Sequence, residues 1–213
     1  MTSSPDRVIA TVASYDAGSR AYADHSSDRT HLSRLHERFR DLLTPGACIL
    51  ELGCGPGHDA AALAALELEV TGLDPARGLL TEAKRYDAIR YRLVQGDARG
   101  LPFASGSFDG VWACASLLHV PKSDVATALA EAFRVLKEGG VLFTSMSEGE
   151  EDDAMPVESE GLERRFYYYH SAPAWLELLR EADFGDIDQI VNRGSGNFNP
   201  ASTGWIETYG RKP

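Results

Sequence analysis

Cysteine is scarce: Cys48, Cys54 and Cys114 are the only three among 213 residues. None belongs to a Cys-x-x-Cys pair and none has a histidine at metal-ligand spacing, so no metal is expected and the three read as reduced, semi-buried fillers. Positive charge is also short. Lys plus Arg number 21 against 32 Asp plus Glu, a formal net charge of −11 with histidines neutral. Phosphate backbones are gripped by clustered Lys and Arg. The nearest cluster, Arg34, Arg38 and Arg40, is interrupted by Glu37 and Asp41, the pattern of a salted helix face. Nucleic acid is therefore not an expected partner. Nor does any apolar run approach the roughly 20 residues that span a bilayer. The segment Met1 to Arg20 lacks the basic start and apolar core of a secretory signal. These shortages set the expectation of a cytoplasmic protein that avoids membranes.

What the chain does have is 43% hydrophobic and 25% charged residues, the make-up of a protein that buries its own core. Residues 1–213 fit a single domain, because two full domains would be crowded at this length. No internal repeat or separating linker interrupts it.

After Asp28, the positions Leu32, Leu35, His36, Phe39, Leu42 and Leu43 recur at helical spacing up to Thr44-Pro45-Gly46. The apolar run Ala47 to Leu52, stopped by glycines, reads as a buried strand. An alanine-rich helix from His58 to about Leu66 follows, then a strand at Leu68–Leu73, a helix at Ala76–Tyr86 and strands at Ile89–Gln95 and Phe108–Ala115. A helix starting at Val125 carries Ala128, Leu129, Ala132, Phe133 and Leu136 on its apolar face and is expected to stop at Gly139-Gly140. A fifth strand covers Val141–Met146. Strands alternating with helices imply a doubly wound α/β fold, its sheet mostly parallel with helices on both faces. The stretch Ser147–Glu163 holds eight carboxylates and is expected to be an exposed acidic loop. Ser171, as an N-cap ahead of Pro173, opens a helix bearing Trp175, Leu176 and Leu179. Ile187–Val191 and Trp205–Tyr209 read as two last strands.

The chemistry concentrates at Glu51-Leu52-Gly53-Cys54-Gly55-Pro56-Gly57, where the first strand meets the first crossover helix. Open α/β sheets bind ligands in that crevice. Glycines let the main chain turn sharply and approach a ligand, and the N–H groups of the helix start favour an anionic group. Asp74 ends the second strand, 17 residues beyond Gly57, where a carboxylate can accept both hydrogen bonds of a ribose diol. Asp97 ends the third strand in Gln95-Gly96-Asp97-Ala98. Each feature alone also suits a tight connection or a turn former, but together they describe a nucleoside site. His58 occupies the position where a dinucleotide fingerprint needs its third glycine, which argues against a nicotinamide cofactor.

The runs ELGCGPG, LDP, QGDA, FDGVWACASLLHV and RVLKEGGVLF resemble the class I S-adenosylmethionine-dependent methyltransferases, particularly the small-molecule members of the ubiquinone-biosynthesis-like group. The likeness covers Ala47 to Met146, more loosely the C-terminal end. It implies S-adenosylmethionine as cofactor and a seven-stranded sheet with an antiparallel last strand. Gly53, Cys54, Gly55 and Gly57 would lie against the methionine part, with Glu51 reaching its ammonium. Asp74 would hold the ribose hydroxyls, Pro75 would follow the adenine edge, and Asp97 and Ala98 would meet the adenine. Cys114, Ala115 and the residues up to His119 would line the sulfonium end. Residues 1–46 would form an N-terminal helical cap and residues 147–170 an acidic loop serving as substrate lid, making Tyr15, Tyr22, Arg165 and Tyr168 candidate substrate residues.

Methyl transfer of this kind is an in-line displacement that needs alignment at about 3 to 3.5 Å, exclusion of water and sometimes removal of a proton. No protein nucleophile is expected. His119 is the candidate catalytic residue for proton removal, although a structural histidine or a cofactor contact fits that position as well. The expected function is methyl transfer to a small molecule by a monomer or homodimer. The alternative is a non-catalytic regulatory module that binds the same cofactor, and a nicotinamide oxidoreductase on a related sheet is a more distant rival.

Overall fold

The computed structural model describes residues 4–89, 92–150, 155–159, 162–193 and 202–213. Helices α1 (Ser4–Ala17) and α2 (Ser19–His25), a 3-10 turn at Thr30–Leu32 and helix α3 (Ser33–Asp41) precede the first strand. Helix α3 buries Leu35, His36 and Phe39, the stripe expected from their spacing.

Alternating elements then build the sheet: β1 (Cys48–Leu52), α4 (His58–Ala65), β2 (Glu69–Asp74), α5 (Arg77–Ala83), β3 (Leu93–Gln95) and β4 (Phe108–Cys114). A 3-10 turn at Leu117–His119 leads to α6 (Val125–Val135) and β5 (Leu136–Glu148). The chain continues through β6 (Met155–Ser159), β7 (Leu162–Tyr167), α7 (Ala172–Glu181), β8 (Gly185–Arg193) and β9 (Gly204–Arg211). The sheet has seven strands in the order β3-β2-β1-β4-β5-β9-β8. Strands β1 to β5 run parallel, and β9 pairs antiparallel with β5 on one side and β8 on the other. The antiparallel last strand thus lies inside the sheet, and β8 forms the edge. Strand order reverses between β1 and β4, so the turns leaving their carboxyl ends diverge and open a crevice.

The sheet is covered on both faces. On one face α6 buries Val125, Ala128, Leu129, Ala132 and Val135, and α7 buries Trp175 and Leu179. The Ser171 hydroxyl accepts a hydrogen bond from Ala174 N at 3.4 Å, capping α7 as its sequence suggested. The Trp175 indole N–H donates to Thr144 Oγ1 at 3.0 Å, so this fully buried ring leaves no polar atom unpaired. On the other face Trp112 stacks on Phe143 with centroids 4.0 Å apart and meets Phe39 edge-on at 5.2 Å. Such pairs add about 0.5–1.5 kcal/mol each beyond area burial.

Three elements depart from the sequence reading. The strand expected over Ile89–Gln95 is confined to β3 at Leu93–Gln95, and Ile89 lies in a turn where its N–H donates to the Tyr86 carbonyl at 3.1 Å. Helix α6 ends at Val135, before Gly139-Gly140. The Gly139 N–H donates to the Lys212 carbonyl and the Lys212 N–H to the Gly140 carbonyl, each at 2.9 Å. These bonds draw the glycine pair into the sheet, and Leu136 already pairs with Phe108 of β4. The stretch expected to be an exposed acidic loop is instead partly sheet. Strand β5 runs on through buried Ser147 and Glu148, and β6 and β7 form an antiparallel hairpin. Glu148 escapes the cost of burial because Arg193 binds both its oxygens, at 2.7 and 2.9 Å, and Thr203 donates to one at 3.1 Å. Residues 151–154, 160 and 161 of this stretch lie outside the described ones.

Candidate functional site

The turn after β1 is shaped by what its glycines touch. Gly53 and Cys54 both donate to the Leu73 carbonyl, at 2.7 and 3.0 Å, which folds the turn back over the end of β2. Gly53 has φ +76°, and a Cβ there would stand 2.4 Å from Ser116 Cβ on the turn leaving β4. Only glycine permits both the torsion and the approach. Gly55, at φ +52°, differs: a Cβ there would meet nothing within 4 Å. Gly57 packs toward the interior, where a Cβ would come within 2.9 Å of Ile89 and 3.0 Å of Ala83.

The cleft over this turn gathers most of the expected residues. Tyr15, Tyr22, Gly53, Cys54, Gly55, Asp74, Pro75, Asp97, Ala98, Cys114, Ala115 and His119 all line it. Asp74 is buried, accepting from Gly55 N through Oδ2 and from Ala76 N through Oδ1, both at 2.8 Å. Burial pushes its pKa up to about 6 against the opposing pull of those two N–H groups. Each oxygen keeps a lone pair for a further donor. Asp97 is held differently. Arg99 donates from Nη2 at 2.6 Å and from Nε at 2.9 Å, and that clamp holds the carboxyl below its usual range. Arg99 also binds Asp124 at 2.7 Å.

Glu51 is buried beneath the turn rather than on the cleft surface, and its Oε2 has no hydrogen-bond partner. Burial, with Asp59 and Asp74 nearby, raises its pKa well above normal. Burial likewise raises the thiols of Cys54 and Cys114 well above normal, so neither is a thiolate nucleophile at neutral pH. All three cysteines are free. Ala115 lines the cleft at φ +50°, a torsion that costs a non-glycine residue about 1–2 kcal/mol and recurs at functional turns.

His119 sits within a hydrogen-bonded row. Its Nδ1 lies 2.9 Å from the Phe166 carbonyl, which only accepts, so Nδ1 carries the proton. Nε2 is then bare and accepts from the Tyr15 hydroxyl at 3.0 Å. Arg165 Nη1 donates to the same hydroxyl oxygen at 3.2 Å. Burial pushes the His119 pKa down to about 4, which the Phe166 carbonyl opposes and Arg165 reinforces. Tyr22 meets Tyr15 edge-on at 5.1 Å.

The remaining expectations divide. Arg165 is buried and is not among the residues lining the cleft; its Nη1 donates to the Tyr15 hydroxyl, which is. Tyr168 does not line it: its ring packs with Phe166 and Ala10, and its N–H donates to the Leu118 carbonyl at 2.8 Å. Arg29, unremarked in the sequence, lines the cleft with Nε 3.0 Å from Asp59 Oδ1. Asp59 also accepts from the Trp112 indole at 3.3 Å and lies 3.4 Å from His36. That cluster joins residues far apart along the chain, and no local spacing announces it. Val8, Thr11 and Val12 of α1 complete the roof. Among the described residues, no group of three metal-binding side chains occurs and no helix is long and apolar enough to cross a membrane.

The site suits a nucleoside. The open space over Gly55 admits a ligand against the main chain and Asp74 offers acceptors to a diol, while Glu51 stays buried beneath the turn, outside the cleft lining.

Comparison with known proteins agrees with that chemistry. Residues 49–140 match the family model described as "Methyltransferase domain". A malonyl-[acyl-carrier protein] O-methyltransferase of Legionella pneumophila is 33% identical over 141 residues, covering 60% of this chain and 49% of the relative. A demethylmenaquinone methyltransferase of Beutenbergia cavernae is 39% identical over 98 residues, covering 46% and 40%. The chain thus spans about half or less of these curated relatives. Among solved structures, a Burkholderia thailandensis 1,6-didemethyltoxoflavin-N1-methyltransferase, with 1,6-didemethyltoxoflavin and S-adenosylhomocysteine bound, superposes with a TM-score of 0.76 at 20% identity. The match covers 100% of this chain and 91% of that one.

Proposed function

We propose that this chain is a class I S-adenosylmethionine-dependent methyltransferase, as its likeness to the methyltransferase domain model and to O-methyltransferases supports, and that it transfers a methyl group from that cofactor to a small-molecule acceptor. The observation that carries the reading is the meeting in one cleft of the open space over Gly55 with the buried acceptor Asp74. Gly53, Cys54 and Gly55 would hold the methionine part, and Gly57 would keep the turn packed on Ile89 and Ala83. Asp74 would take the ribose hydroxyls, while Pro75, Asp97 and Ala98 would take the adenine. Cys114 and Ala115 would border the reacting end, with Tyr15, Tyr22 and His119 on the acceptor side.

When bound, the cofactor supplies a sulfonium methyl that is already electrophilic. The chain's own tasks are to orient, exclude water and accept a proton. Residues 1–46 would act as a helical cap, with the β6–β7 hairpin completing the cover. A small molecule suits the cleft better than nucleic acid, because the two arginines lining it, Arg29 and Arg99, are matched by Asp59, Asp97 and Asp124. Three free thiols accord with a reducing cytoplasm. The chain would act as a monomer or homodimer.

Calorimetric titration with S-adenosylhomocysteine tests the reading. Saturable binding to the wild type, with a loss of tenfold or more in Asp74→Ala, is expected. No binding at millimolar ligand overturns it.

A further inference from the structure

Two observations on the cleft point the same way. First, much of its lining is apolar, including Val8 and Val12 of α1 and Val120 and Pro121 after β4. The four charged side chains among its lining residues are all engaged. Arg29 faces Asp59, Arg99 binds Asp97 and Asp124, and Asp74 holds the N–H groups of Gly55 and Ala76. A charged group on the acceptor would be buried there without a partner, at a cost of several kcal/mol.

Second, among the hydroxyls lining the cleft, which include Thr11, Tyr22 and Ser116, that of Tyr15 has its proton committed to a base. Tyr15 donates to the bare Nε2 of His119 and accepts from Arg165. The tyrosine oxygen retains capacity to accept one more proton donor. A group seeking a base in this cleft therefore meets Tyr15, with His119 behind it.

We infer that the acceptor is a neutral, largely apolar molecule bearing an acidic hydroxyl, whose proton passes to Tyr15 as Tyr15 passes its own to His119. The inference rests on the methyltransferase reading above. As the acceptor O–H bond breaks, a new O–H bond forms on Tyr15, and the proton Tyr15 held forms an N–H bond at His119 Nε2. The freed electron pair on the acceptor oxygen makes the bond to the methyl carbon, whose bond to sulfur breaks with the pair left on sulfur. One positive charge disappears at sulfur while another appears on the imidazole, so the net charge of the buried site is unchanged. The Phe166 carbonyl stands ready to stabilise the imidazolium. Tyr15 is the catalytic residue in this scheme, and His119 is a positioning residue that acts through it. The groups facing His119 are Tyr15 of α1, with Tyr22 of α2 behind it, and Arg165 and Tyr167 of β7.

Three aromatic probes, neutral 1-naphthol, cationic 1-naphthylmethylamine and anionic 1-naphthoate, separate the classes. With S-adenosylhomocysteine saturating, the naphthol is expected to bind at least tenfold more tightly than the naphthoate or the naphthylmethylamine. With labelled S-adenosylmethionine, the naphthol is expected to be methylated. Tyr15→Phe and His119→Gln are each expected to lower kcat about 100-fold with naphthol KM within threefold of wild type. The fall in wild-type kcat toward acid pH, with its midpoint near 4, is expected to vanish in His119→Gln. Weak or absent naphthol binding, preference for either other probe, no methylation of the naphthol, or unchanged kcat in either variant overturns the inference. Binding of S-adenosylhomocysteine alone is measured in parallel for every variant. Its retention in the variants shows an intact fold, and its absence from the wild type defeats the methyltransferase reading instead.

Discussion

Gly53 and Gly55 stand two residues apart in one turn, both with positive φ, yet alanine should injure them in opposite ways. Gly53→Ala combines a left-handed torsion, about 1–2 kcal/mol for a residue with a Cβ, with a Cβ 2.4 Å from that of Ser116. Overpacking of that kind costs about 1–3 kcal/mol, so roughly 2–5 kcal/mol of folding stability should be lost. Gly55→Ala carries the torsional cost alone, since its Cβ would meet no protein atom within 4 Å. The new methyl occupies the space assigned here to the cofactor, so affinity for S-adenosylhomocysteine should fall tenfold or more, about 1.4 kcal/mol. Urea unfolding measures the first quantity and calorimetry the second. Adding Ser116→Gly to Gly53→Ala removes the colliding atom, so the pair should recover the packing portion and leave only the torsional one. If Gly55→Ala binds the ligand as tightly as wild type, the cofactor does not lie over Gly55. If Ser116→Gly recovers nothing, the contact is not what makes Gly53 necessary.

Two further expectations concern stability. Asp74 has a folded pKa near 6 against 3.8 for the free group, so the folded chain binds its proton more tightly. Its contribution to stability is greatest below pH 4 and is lost as pH rises through 6, by up to roughly 3 kcal/mol. The stability difference between wild type and Asp74→Ala should accordingly shift in favour of wild type as urea titrations move from pH 7 to pH 4, and a constant difference would refute the assignment. Thr144→Val strands the buried Trp175 indole N–H, which should cost about 1–3 kcal/mol by urea unfolding. A loss under 0.5 kcal/mol would show that the hydrogen bond is dispensable.

The elements legible in the sequence are those whose burial leaves a period. Strands β1 and β4 read as apolar runs because helices cover both faces, and α6 and α7 read as stripes. The hairpin β6–β7 was not legible, because its many carboxylates suggest a solvated loop while its pairing depends on α1 lying against it: Phe166 N donates to Thr11 Oγ1 at 3.0 Å. The end of α6 was misplaced because its glycines are recruited by Lys212, at the far end of the chain. In the site, the glycine turn and the strand-end aspartates announce themselves by position. Arg29 and Asp59 meet only through the fold, and Arg165 gains its place from Tyr15. Tyr168 has the side chain of a pocket residue, yet it lies just beyond β7 and its ring packs with Phe166 and Ala10, away from the cleft.

The roof and the floor of the cleft belong to different parts of the chain. The floor is made by sheet turns that hold one another, Gly53 against Ser116 and Gly55 on Asp74. The roof is α1, fastened to β7 through Thr11 and Tyr15, to α5 by a bond from Gly78 N to Asp16, and to the turn after β4 by Tyr15 on His119. Substitutions at Val8 and Val12, which lie outside the hydrogen-bonded row of Tyr15 and His119, would therefore reshape the roof while leaving the sheet intact.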